Sequence, residues 1–268
     1  MNTPARQAHV SPYGEIHIGG GDTAQPLSIA ARLRLIERFA SLSGQRVIDC
    51  GCGSGGYVLE FLKRGADAIG VEHSADKVAN YKRGAAAPGR VMRGNLEALE
   101  FPGNHFDLAL LNEVLEHVPD DMAALREIFR VLKPGGALVI FSPNRLYPFE
   151  THGLVWRSSG KMLSPVRTFL TPYLPVRFGR RVFDYPARNY FPSDLRRMAL
   201  STGYEIAGRS FLWQTFEDIS GRQPRWMRRI RPALRTLSYL LERTPLLRSF
   251  GVSQVLFLRK PWPAASAS

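Results

Sequence analysis

The sequence predicts an α/β protein built on a doubly wound, mostly parallel sheet. Short β-branched runs alternate with segments of helical periodicity through residues 46–142. Some of those runs are apolar at every position, as strands covered by helices on both faces must be. Three glycines, Gly51, Gly53 and Gly55, stand between the first such strand and the helix that follows it. That is where an open α/β sheet brings its backbone close to a ligand.

Residues 26–43 carry Leu27, Ala30, Ala31, Leu33, Leu35, Ile36 and Phe39 at helical spacing, and Ser43-Gly44 marks the end. Arg46–Cys50 reads as a buried strand, residues 54–64 as a helix closed by Gly65, Ala68–Glu72 as a second strand and Ala75–Arg83 as a second helix. A short strand near Val91-Met92 precedes the strand Phe106–Leu111, apolar but for Asp107. The helix over about 120–132 has Asp120 or Asp121 as its cap, and Lys133-Pro134-Gly135-Gly136 is expected to stop it before the strand Ala137–Phe141. Residues 143–190 are rich in proline and aromatics; a structureless loop of that length does not suit a compact domain, so a cap subdomain is expected there. Pro192–Thr202 reads as a helix, and 204–211 and 251–259 as the last two strands, with a second, basic and partly helical insertion at 212–250 between them.

Composition narrows the functional classes. No apolar run is long enough for a membrane-spanning helix, and the first residues lack the apolar region of a secretory signal. Cys50 and Cys52 are the only cysteines, which fits a reducing cytoplasm; without nearby partners they make no zinc site, and no metal is expected. The net charge of +13 is unevenly placed. Residues 1–150 hold 16 Lys/Arg and 17 Asp/Glu, whereas residues 151–260 hold 20 and 6. A field of one sign over one half of the chain points to an anionic partner, or to a solvated basic face.

A glycine loop alone has little specificity. Glu72 adds to it, because it ends the second strand about 20 residues later, where an acid accepts hydrogen bonds from ribose hydroxyls. Asp49, just before the loop, would repel a pyrophosphate but suits a ligand bearing an ammonium group, which argues against a dinucleotide. Further stretches follow in order: Gly94-Asn95-Leu96-Glu97-Ala98-Leu99, Phe101–Asp107, Leu111–Val118 and Arg130–Gly136.

Together with Val47–Gly55 and Gly70-Val71-Glu72, these stretches resemble the class I S-adenosylmethionine-dependent methyltransferases over about residues 45–142. The resemblance implies a Rossmann-like, seven-stranded sheet with a cap insertion after strand 5 and a basic helical insertion before the last strand. It also implies S-adenosylmethionine as cofactor. Asp49, Gly51, Gly53 and Gly55 would form the cofactor loop, with Gly51 and Gly53 lining the methionine part. Glu72 would take the ribose, Asn95 and the Leu96 backbone the adenine, and Asn112 the methionine end. Many relatives carry Asp where Asn95 stands; its side-chain oxygen accepts the same hydrogen bond. The implied organisation is an N-terminal helical segment at 1–44, a cofactor-binding core at 45–142, a cap at 143–191, the rest of the core at 192–260 with the insertion 212–250, and a disordered tail at 261–268.

The acceptor is less legible. Asn144–Gly153 places Arg145, Tyr147, Glu150 and His152 directly after the fifth strand, and resembles a Pro-Asn-Arg…Phe-Glu-Thr-His-Gly segment in a bacterial subgroup of these enzymes. That subgroup is associated with quinone-type and cell-surface glycan methylation. A hydroxyl acceptor needs a base, so His152 oriented by Glu150 is one candidate and His117 another; the alternative is that these residues tie the cap to the sheet or cap a turn. A small-molecule, lipid-linked or glycan acceptor, methylated on oxygen, is the expectation. Arg225–Arg231 and Leu234, Leu237, Leu240 and Leu241 form an arginine-rich amphipathic stretch within 222–250 that either packs its leucines on the cap or lies on an anionic membrane, placing a cytoplasmic enzyme at the inner face. Nucleic acid is the second choice, since the chain lacks the Asn/Asp-Pro-Pro-aromatic motif of base methyltransferases and any known RNA-binding module. A non-catalytic scaffold that binds cofactor or membrane is the third.

Overall fold

A computed structural model describes residues 26–84, 89–163, 165–185, 187–216 and 227–263. The expected features at 1–25, at Arg225 and Trp226, and at 264–268 lie outside the described residues.

The described residues begin with helix α1 (Pro26–Phe39), then alternate β1 (Arg46–Cys50), α2 (Gly56–Lys63), β2 (Asp67–Glu72), α3 (Ala75–Gly84), β3 (Val91–Arg93), β4 (Phe106–Asn112), α4 (Asp121–Val131) and β5 (Leu132–Pro143). After the cap come α6 (Pro192–Thr202), β8 (Glu205–Leu212), α7 (Met227–Arg243) and β9 (Ser253–Arg259). The cap itself contributes β6 (Val155–Trp156), α5 (Val176–Gly179) and β7 (Phe183–Asp184), with β6 and β7 paired antiparallel. The main sheet has seven strands in the order β3-β2-β1-β4-β5-β9-β8. Strands β1 to β5 are parallel, whereas β9 runs antiparallel to both β5 and β8 between which it lies. This is the expected doubly wound architecture.

Strand order reverses between β1 and β4, so the crevice beyond their carboxyl ends is the ligand-binding place of such a sheet. Two apolar layers hold the sheet. One, with Ile48, Leu111, Leu125 and Ile128, packs α4 and α6 on one face; the other, with Leu33, Val58, Phe61 and Leu110, packs α1 and α2 on the other.

Three boundaries differ from expectation. Helix α1 ends at Phe39 rather than residue 43, because the chain turns there and seats Leu42 in the core. Helix α2 starts at Gly56 rather than residue 54, since Gly55 (φ +76°) takes a left-handed conformation a helix cannot include. Strand β5 begins at Leu132, so Lys133–Gly136 is not a turn ahead of the strand but its irregular entry. Leu132 sits opposite Phe106, the register then shifts, and regular pairing resumes at Ala137 opposite Leu108. As expected, Asp120 caps α4, its carboxylate accepting the Ala123 N–H at 2.9 Å.

Candidate active site

The glycine loop is shaped by its own sequence. The N–H groups of Gly51 and Cys52 donate to the Val71 carbonyl (2.7 and 3.1 Å), so the loop folds back over the end of β2. Gly51 (φ +78°) leaves no room for a side chain, because a Cβ would lie 2.5 Å from Val114. Gly53 (φ +54°) is the opposite case: a Cβ there meets no atom within 4 Å, so that part of the loop borders open space.

Two acids stand beside the loop. Glu72 is buried, and its carboxylate accepts the N–H of Gly53 and of Ser74, both at 2.9 Å, which sets loop and strand end at a fixed spacing. Asp49 is buried as well, and its Oδ2 has no hydrogen-bond partner among the described residues. Burial, with the Glu72 charge adding to it, pushes the Asp49 carboxyl up to about 8. In the folded, ligand-free protein Asp49 therefore keeps a proton that the unfolded chain releases above its ordinary value of 3.8. Its contribution to stability is full below that value and is lost as pH rises to about 8. The melting temperature of the ligand-free protein is expected to fall across that window relative to the Asp49→Asn variant, which cannot titrate. Parallel melting curves for the two proteins would contradict this.

Asn95 and Leu96 lie beyond β3. Leu96 is buried; Asn95 is exposed and its Oδ1 accepts the Glu97 N–H at 3.0 Å, forming a local turn. Asn112 ends β4 and is buried. Glu113, next to it, has φ +54°, a conformation that costs energy outside glycine, and is fixed in place by partners. Its N–H donates to Phe141 O at 2.9 Å; its Oε1 accepts from Arg32 Nη2 (3.2 Å) and the Ser253 hydroxyl (2.6 Å). Arg32 also donates to Ser28 and lies over the Phe141 ring. A buried ion pair thus joins α1, the end of β4 and β9.

The cap closes on the segment after β4. The Arg188 N–H donates to Glu116 O at 3.1 Å and its guanidinium to the carbonyls of Val118 and Pro119. This brings His152, buried, beside the exposed His117, with ring centroids 5.1 Å apart at 78°. His152 Nε2 is 3.7 Å from Glu116 Oε1 and Nδ1 is 3.8 Å from Glu150 Oε1. Neither distance is a hydrogen bond. Glu150 is occupied otherwise: its Oε1 accepts the N–H of Thr151 (3.0 Å) and His152 (3.1 Å), and its Oε2 accepts from Asn189 Nδ2 at 2.5 Å. It fixes the backbone that carries His152.

Glu116 is the residue that sequence reasoning missed. It is fully buried, and neither carboxylate oxygen has a hydrogen-bond partner among the described residues. Burial first, and then the Glu113 charge, pushes its carboxyl far above the usual range. The signal available was an acid set among apolar neighbours in Val114-Leu115-Glu116-His117-Val118. Its donor atoms and those of His117 and His152 all lie within 4.8 Å of one another.

Comparisons with known proteins bear on the domain and the fold. Residues 48–140 match the family model described as a methyltransferase domain. An uncharacterized methyltransferase of Mycobacterium marinum is 28% identical over 246 residues, covering 90% of this chain and 86% of that protein. The ubiquinone biosynthesis O-methyltransferase of Methylococcus capsulatus is 29% identical over 182 residues, covering 66% and 70% of the two chains. Among solved structures, an S-adenosylmethionine-dependent methyltransferase from Mesorhizobium loti superposes with a TM-score of 0.54 at 20% identity, covering 88% of this chain and 98% of that one, and shares the fold. The residues present fit that cofactor. A buried acid with an unpartnered oxygen faces the need of an ammonium group, and Gly53 leaves open the space that a side chain would fill. Residues 48–140 form a methyltransferase domain, on the fold shared by S-adenosylmethionine-dependent methyltransferases of known structure.

Proposed function

We propose that this enzyme methylates a hydroxyl oxygen on a small-molecule, lipid-linked or glycan acceptor. The observation that carries this reading is His152, a buried imidazole set between Glu116 and Glu150 beside the carboxyl end of β4. An alcohol or phenol must lose its proton as the new bond forms, and a histidine in that position can accept it. The ubiquinone biosynthesis enzymes among the relatives are O-methyltransferases by name, which supports oxygen as the acceptor atom.

In this reading Asp49 pairs with the ammonium group of the cofactor and Gly51, Gly53 and Gly55 pass its methionine part. Glu72 accepts from the ribose hydroxyls through lone pairs left over after its two backbone bonds. Asn95 and Leu96 border the adenine, and Asn112 the methionine end. S-adenosylmethionine supplies a methyl group on a positively charged sulfur, ready for in-line displacement. The protein's part is alignment, exclusion of water and removal of the acceptor proton. Glu150 positions His152 through the backbone, Glu116, a buried neutral acid, faces the other ring nitrogen at 3.7 Å, and His117 lines the exposed side. An acceptor carried at the inner face of an anionic membrane fits the concentration of 20 Lys/Arg in residues 151–260.

The test is transfer from S-adenosylmethionine labelled on its methyl group to a panel of phenolic, quinol-type and glycolipid acceptors, with product linkage read by mass spectrometry. A methyl ether is expected. A methylated amine, carboxylate or RNA base as the sole product would overturn the reading.

A further inference from the structure

Helix α7 and the 3₁₀ turn after it (Leu247–Phe250) present an apolar stripe to solvent. Inward, Leu234, Arg235, Ser238, Leu241 and Glu242 recur at helical spacing and are buried or half-buried. The Arg235 Nε–H donates to Thr215 O at 2.8 Å, and Glu242 accepts the Trp213 N–H at 3.4 Å, so this face fastens the helix to the strand end of β8. Outward, Ile230 (41% exposed), Ala233, Leu237 (50%) and Leu240 (56%) line up at spacings of three and four, and Leu246 (82%) and Leu247 (44%) are exposed past the helix end. A soluble protein gains nothing from leaving a row of large aliphatic side chains in water.

The charge beside the stripe selects its partner. Arg229, Arg243 and Arg248 are exposed along it. Glu242, the one carboxylate of residues 227–250, is turned inward. We propose that this face docks on an anionic lipid surface, its aliphatic row entering the acyl boundary while the arginines meet the headgroups. A second copy of the chain would set two faces of the same positive sign against each other, and a nucleic acid would engage the arginines while leaving the aliphatic row in water. The docking face also connects to the candidate active site. Asn144, at the exit of β5, donates from its Nδ2 to the carbonyls of Ser249 and Gly251, both at 2.8 Å. Tyr147, three residues on, packs its ring edgewise on Trp213. Docking would thus hold the cap, with Glu150 and His152, next to the lipid surface. Among the described residues no helix is long and apolar enough to cross a membrane.

This partner extends the membrane-side reading above but uses none of the methyl-transfer chemistry, and its test is separate. The full chain is mixed with vesicles of phosphatidylcholine alone or with phosphatidylglycerol, and floated. Flotation with the anionic vesicles only, weakened by salt, is expected. Leu237→Ser with Leu240→Ser should abolish it, and Arg229→Gln and Arg243→Gln should each weaken binding by about fivefold. In Leu240→Trp the indole emission should shift to the blue on anionic vesicles. Cofactor binding and melting temperature of all four variants should match the unmodified protein, which separates a failure of docking from a failure of folding or of the enzymatic reading. Unchanged flotation of the Leu237/Leu240 variant would overturn the proposal. So would no flotation of the unmodified protein, or a salt-stable dimer broken by the same substitutions.

Discussion

Replacing His152 by alanine is expected to slow methyl transfer by about 10²–10⁴-fold, the range over which a positioned base acts, while cofactor affinity stays the same. The separation is physical. His152 sits on the cap segment with Glu116, Glu150 and His117 around it, whereas the cofactor loop hangs from β1 and β2 and is held by Glu72. Titration calorimetry with S-adenosylhomocysteine measures the first property and labelled-methyl transfer the second. Partial rescue by added imidazole would mark the loss as one of proton acceptance rather than of cap structure. Should His152→Ala retain full activity while His117→Ala loses it, the base is His117. Should both remain active, an acceptor that needs no base is implied, and oxygen loses its chief support.

The second large effect concerns stability. Arg32→Ala leaves Glu113 buried with no cation beside it, a change expected to cost about 3–5 kcal/mol of folding free energy. The pair lies wholly inside, at 3.2 Å, with side chains 4% and 3% exposed, so solvent screens little of the loss. Urea denaturation followed by circular dichroism measures it. Adding Glu113→Gln to Arg32→Ala should restore much of the stability, since it removes the stranded charge; simple addition of the two losses would show that the partners do not act as a pair. Glu113 also holds a left-handed backbone beside Asn112, so the single variant is expected to weaken cofactor binding as well.

What the sequence made legible was local. Glycines between a strand and a helix, an acid at the end of β2 and a carboxylate capping α4 all act within a few residues of where they stand, and pattern reading finds such features. The irregular entry of β5 escaped because Pro134-Gly135-Gly136 reads as punctuation, while pairing with Phe106 and then Leu108 across the sheet draws the segment into a strand. The Arg32–Glu113 pair spans 81 residues, and nothing local connects its members. Glu116 was hidden for a related reason: an acid beside a histidine looks like an exposed turn until the cap is known to close over it. The roles of the acceptor-side residues are legible only to that degree, since they arise where the cap meets the segment after β4.

The position of β9 has a consequence for how the molecule is made. The last described strand lies between β5 and β8, so every residue up to about 250 can be synthesised while β5 still lacks its neighbour on that side. During that interval the ribosome carries a half-finished sheet whose open edge is the apolar run Ala137–Phe141, a ready template for pairing with another chain. Removing even the seven residues of β9 is therefore expected to cost soluble protein.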